Sequence, residues 1–141
     1  MERFEIDGNV LRALIASEME EGEEFDHYNT SALSNLFDSA FDDTNGAPAI
    51  TCPTIGGNAI EAAVYDSDDE ESAGFLLGVR PRGIAPWFPA GMQIASTWQE
   101  TWDAFPGDDD DSPTAVYAAV VNIIDQANEM LPYLAKLAGE V

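Results

Sequence analysis

"NAIEAAVYDSDDEESAGFLLGVR", Asn58 to Arg80, holds two strand patterns on either side of a run of acids. In the first, Ile60, Ala62 and Val64 alternate with Glu61, Ala63 and Tyr65, the period of two that sends successive side chains to opposite faces of a strand. The second, "GFLLGVR", is a short apolar run bounded by turn residues. Between them lie Asp66, Asp68, Asp69, Glu70 and Glu71, with no Lys, Arg or His to offset them. The pattern predicts a strand pair with the acids at the tip of the hairpin, or of a longer connection.

The same period extends outward to "AITCPTI" before this stretch and "MQIASTW" after it, so the middle third predicts a small antiparallel sheet. "TIGGNA" lacks the phosphate-loop lysine and the spacing of a dinucleotide fingerprint, and reads as a turn. Upstream, Phe4 and Ile6 alternate in a short strand closed by Asp7, Gly8 and Asn9, and Val10, Leu11, Leu14, Ile15 and Met19 then recur at helical spacing until Gly22. Thr30 and Ser31 are N-cap residues for a second helix that points Leu33, Leu36, Phe37, Ala40 and Phe41 inward and stops before "DDTNGAP". Near the C-terminus Ser112 caps a long helix with Pro113 at its first position. Its buried stripe is Val116, Val120, Ile123 or Ile124, Ala127, Leu131, Leu134 and Leu137, and Pro132 is expected to kink or split it. Helices flanking a small antiparallel sheet make an α+β fold, expected as a single domain over residues 1–141.

The 141 residues are 45% hydrophobic and 10% aromatic, which is globular composition. The charge is not ordinary: 27 acids stand against 5 bases, a net charge of −22. Self-repulsion on that scale opposes the compact state, so something must favour retaining it. No run of 18 apolar residues and no signal-peptide pattern occurs, which leads us to expect a soluble, intracellular protein. Cys52 is the only cysteine, which excludes an internal disulfide and a multi-cysteine metal cage, and it reads as a buried small hydrophobe.

The acids cluster. One group is Glu18, Glu20, Glu21, Glu23, Glu24 and Asp26, a second is the hairpin run, and a third is Asp108, Asp109, Asp110 and Asp111 in "PGDDDDSP". Glu18 with Glu21 and Glu20 with Glu24 form rows at the end of the first helix, where like-charge pairs cost about 0.2 to 0.5 kcal/mol each and the negative end of the helix dipole adds to the cost. A sequence selected for stability alone would place Lys or Arg there. Duplex DNA carries one negative charge per about 1.7 Å of axis, and carboxylates at comparable density can occupy the groove that binds it.

In size, charge and clustering the chain resembles the acidic DNA-mimic inhibitors of phages and mobile elements, the anti-CRISPR and antirestriction proteins. The resemblance covers most of the chain and rests on no motif, so it carries over no site residue. It implies a non-enzymatic protein, in the host cytoplasm if phage-encoded, that blocks a basic nucleic-acid-binding partner such as a CRISPR effector, a restriction enzyme or a toxin nuclease, without binding nucleic acid or membrane itself. Two other readings fit the charge. An immunity protein against a basic toxin nuclease would also be small and acidic. Adaptation to high salt would explain a single lysine, Lys136, but predicts scattered acids, whereas residues 72–99 contain none.

Signs of chemistry are weak. His27 is the only histidine, and a lone histidine beside Asp26 and Tyr28 reads as a surface or half-buried residue. Asp66, Asp68 and Glu70 resemble the start of an EF-hand loop, yet Glu71 stands where glycine is required and Leu77 where the bidentate glutamate belongs. Consecutive aspartates in "GDDDDSP" cannot all face one ion, so no metal and no cofactor is expected. The acid-free "RPRGIAPWFPAGM", residues 80–92, is an expected ordered loop with Arg80 and Arg82 ahead of Trp87 and Phe88. These two aromatics either anchor a partner or a second copy of the chain, forming a homodimer, or pack back on the sheet. Trp98 and Trp102 read as core.

Overall fold

A computed structural model of the chain describes residues 2–22, 30–42, 46–66, 75–90, 92, 94–99 and 113–139. Its central pair is β4 (Asn58–Asp66) and β5 (Phe75–Pro81), antiparallel in register from Ile60 opposite Pro81 to Asp66 opposite Phe75. The expected hairpin is therefore present, and residues 67–74 join its strands. Alternation gives each strand two faces: Ile60, Ala62, Phe75, Leu77 and Val79 are buried, while Glu61, Tyr65, Leu76, Gly78 and Arg80 belong to the other face.

β6 (Ile94–Gln99) pairs with β5, and β3 (Thr54–Ile55) pairs with the start of β4, giving a four-stranded antiparallel order β3-β4-β5-β6. Gly56 (φ 58°) and Gly57 (φ 82°) form the two-residue turn between β3 and β4; both angles are left-handed, the geometry that suits the twist of a tight hairpin. The predicted strand "AITCPTI" is two strands instead. Ile50–Thr51 (β2) pairs with Glu5–Ile6 (β1) in a separate two-stranded sheet, and the break falls at Cys52 and Pro53, because proline has no N–H for a ladder. Cys52 is half-buried against the core.

Helix α1 (Gly8–Glu20) begins earlier than its sequence implies. Asp7 is its N-cap, with Oδ1 accepting from Val10 N–H at 3.3 Å, so Gly8 and Asn9 are helical and not part of a turn. Asp, Asn and Gly serve both roles, which is why the pattern misleads. Leu11 and Ile15 are fully buried, Leu14 and Met19 pack partly on the core, and Val10 is exposed. Gly22 (φ 98°) ends the helix, its N–H donating to Met19 O. In α2 (Thr30–Phe41), Thr30 is already helical; Leu33, Leu36, Phe37, Ala40 and Phe41 are buried as expected.

Helix α3 (Pro113–Ala138) is one continuous helix of 26 residues that runs through Pro132 without splitting. Met130, Leu131, Leu134 and Ala135 are buried on both sides of the proline, and the first three contribute about 1.5 to 3 kcal/mol each, which offsets the lost hydrogen bond. Both Ile123 and Ile124 are buried, but Leu137, expected inside, is 40% exposed in the last turn. α3 packs mainly on β5, α2 packs on β4, and α1 covers α3 and α2. One buried cluster runs through all three helices and both sheets, confirming an α+β fold. Among the described residues no helix is long and apolar enough to cross a membrane. Ser112, Trp102 and His27 lie outside the described residues, as does the side chain of Trp98.

Candidate interface at the acidic end

The directions of the elements decide where the acidic runs emerge. α2 runs against β4: its last residue, Phe41, accepts a hydrogen bond from the Arg82 guanidinium at 3.0 Å, and Arg82 N–H donates to Ala59 O at 2.7 Å, next to the first residue of β4. Further back along α2, Ser34, Phe37 and Asp38 share a cavity with Ala62, Ala63, Val64 and Tyr65. Thr30 therefore faces the Asp66 end of the hairpin.

The chain through β1 and α1 runs against α3. The side-chain amide of Asn128 brackets the Phe4 backbone, accepting from its N–H at 2.8 Å and donating to its carbonyl at 3.4 Å. Eleven positions earlier on α3, Tyr117 carries the Arg12 guanidinium over its ring, 4.2 Å from the centroid. The other end of α3 is fixed at the β3–β4 turn, where Ala138 Cβ lies 3.1 Å from a Cβ built on Gly56. A 26-residue helix is about 39 Å long, so Pro113 sits at the opposite end of the domain from that turn. Gln99 is paired with Phe75, which brings the end of β6 to the same place.

Glu21, Thr30, Asp66, Phe75, Gln99 and Pro113 thus share one end, and connections 22–29, 67–74 and 100–112 all begin and finish there. Six acids fall between positions 18 and 26, five between 66 and 71 and six between 100 and 111, seventeen of the 27 in the chain, with no Lys or Arg among them. Of the sequence-predicted residues, Glu18 is half-buried in the last turn of α1, Glu20 and Glu21 are exposed at its end, and Asp66 is the last residue of β4. Glu23, Glu24, Asp26, Asp68, Asp69, Glu70, Glu71 and Asp108 to Asp111 lie outside the described residues.

Three of the five bases have described partners outside these runs. Arg80 Nε donates to Glu61 Oε1 at 2.7 Å and Arg82 Nε lies 3.7 Å from Glu61 Oε2, so one half-buried carboxylate sits between two guanidinium groups. The hydrogen bond to Glu61 holds Arg80 above its ordinary pKa, against the opposing effect of burial. Arg12 is engaged by Tyr117. Among the described residues Glu18, Glu20 and Glu21 make no ion pair. Two of the acidic runs precede helix N-termini, α2 and α3, where the dipole favours negative charge by about 0.3 to 1 kcal/mol within the first turn; the α1 glutamates sit at a C-terminus, where it does not.

Trp87 and Phe88 lie toward the other end. The loop after β5 folds back: Trp87 Nε1 donates to Gly56 O and to Asn58 Oδ1, both at 3.1 Å, and Phe88 meets the indole edge-on with centroids 6.0 Å apart. Both rings are partly buried against the core. Among the described residues no three His, Cys, Asp or Glu side chains are grouped to hold a metal. Compared with known proteins, the chain matches no family model, no curated protein and no solved structure.

Proposed function

We propose that the chain is a non-enzymatic inhibitor whose acidic end binds and blocks a basic nucleic-acid-binding protein of a bacterial defence system, of the anti-CRISPR or antirestriction type. The observation that supports this reading is the shared end: three acidic runs distant in sequence are carried by connections whose described flanks meet at one pole. High-salt adaptation gives no reason for that polarity, and local stability gives none for glutamates at the α1 C-terminus. A concentrated negative surface steers a basic partner and raises its association rate by roughly 10- to 1,000-fold, and it competes with nucleic acid for the same cationic groove. No substrate is turned over; the block lasts as long as the complex.

The experiment is a pull-down from bacterial lysate rich in restriction enzymes, CRISPR effectors and toxin nucleases. The baits are the wild type, a variant with Asp66, Asp68, Asp69, Glu70 and Glu71 changed to Asn or Gln, and a variant with Glu18, Glu20, Glu21 and Glu24 changed to Gln. A basic partner retained by the wild type and lost from both variants is the expected result. Equal capture by all three removes the acidic end from the mechanism.

A further inference from the structure

The sheet face that carries Glu61, Tyr65 and Arg80 has a groove of about 360 Å³ between Tyr65 and Arg80 on one side and the loop after Pro81 on the other, where Ile84, Ala85, Phe88 and Met92 form the wall. That volume falls in the range of about 300 to 1,000 Å³ usual for small-molecule sites. The loop is fixed before any ligand arrives. Trp87 is tied to Gly56 and Asn58, the Asn58 amide donates to Ile84 O, and Phe88 and Met92 close turns onto Ala85 and Pro89. At the rim Ile84 is 94% exposed and Met92 41%, apolar surface that the fold leaves uncovered.

We propose that this groove binds a small, mainly apolar molecule through a single carboxylate held by Arg80. Charge selects the ligand. None of the residues lining the groove is acidic, whereas the chain as a whole carries −22 and repels anions. Arg80 spends its Nε on Glu61, which orients the guanidinium, and its side chain remains 46% exposed, with terminal N–H groups that can receive a carboxylate in the paired geometry arginine favours. Glu61 is shared with Arg82, so these three groups carry one net positive charge, and the carboxylate of Asp38 belongs to the neighbouring cavity that Tyr65 and Arg80 also line. Tyr65 lines the same groove with its hydroxyl shielded from solvent, and the Arg80 guanidinium lies 5.9 Å from its ring centroid.

The test is amide NMR titration of the full chain with octanoate, with octanol and octylammonium as isosteric controls. Octanoate is expected to shift the amides of Arg80, Gly83, Ile84, Ala85 and Phe88 saturably, with octanol about tenfold weaker and octylammonium shifting other residues. Arg80→Gln should reduce octanoate affinity about tenfold without changing that for octanol, since a hydrogen bond to a charged group is at stake. Ile84→Asp, at a 94% exposed rim position, should weaken both ligands by removing apolar wall and weaken octanoate more, since the new carboxylate repels it. Unsaturable or scattered shifts, equal affinity for octanoate and octanol, or undiminished octanoate binding by both variants would overturn the proposal. None of these results depends on the acidic end, so the two readings stand or fall separately.

Discussion

The two ends of the domain are built on opposite terms. At the β3–β4 turn the backbone is fixed by left-handed glycines, the indole of Trp87 reaches back to two acceptors, Arg82 satisfies the last carbonyl of α2, and the end of α3 packs against the turn. The three connections whose flanks share the other end hold thirteen acids, and the end of α1 with Asp66 adds four more, with no Lys or Arg among them. Among the described residues, the turn end is held by hydrogen bonds from Arg82 and Trp87 and by the packing of α3 on Gly56.

That contrast can be broken most decisively by kinetics. If the acidic end acts through its field, association with a basic target should slow by roughly 10- to 1,000-fold between low and high ionic strength, while dissociation changes far less. Stopped-flow mixing with the partner captured above measures both. A rate that stays flat with salt would remove the acidic end's field from the mechanism.

The next largest effect belongs to the opposite end. Trp87→Ala removes a partly buried ring and leaves Gly56 O and Asn58 Oδ1 without their donor, so it should cost about 2 to 4 kcal/mol in chemical denaturation. Gly56→Ala combines a left-handed φ of 58° with a Cβ that would lie 2.6 Å from Trp87 Nε1, and should cost about 1 to 3 kcal/mol. Neutralising the five acids between Asp66 and Glu71 should cost nothing in the same assay. If that variant unfolds more readily than Trp87→Ala, the division of labour between the ends is wrong.

Much of this architecture was legible in the sequence, and its gaps have physical causes. The central hairpin was readable because one buried face imposes strict alternation on Ile60, Ala62 and Val64. "AITCPTI" reads as one strand because propensity is local, while the division at Pro53 between two sheets is set by tertiary pairing. Pro132 stays inside α3 because burial on both sides of it outweighs the break, which no window around a proline reveals. The acidic runs were plain, but their meeting at one end depends on α2 opposing β4 and α1 opposing α3, directions that composition does not encode. The groove was half visible: Trp87 and Phe88 stood out, yet Tyr65 and Arg80 join it only through strand register.

The smallest expected effect sharpens the comparison most, because its sign is the reverse of the usual one. Most substitutions destabilise, by about 0.5 to 3 kcal/mol. Changing Glu18, Glu20 and Glu21 to Gln removes one like-charge pair at helical spacing and three carboxylates from the negative end of the α1 dipole, while α1 keeps its packing through Leu11 and Ile15. Stability should rise by about 0.5 to 1.5 kcal/mol in dilute buffer, and the gain should shrink toward zero in 1 M salt, where the Debye length is about 3 Å. Thermal denaturation of both proteins at the two salt concentrations reads this directly. A wild type that folds only in molar salt would restore halophilic adaptation as the explanation of the charge. A wild type that folds at low salt, together with a variant that is more stable there, leaves glutamates that oppose the fold they belong to, retained for something outside it.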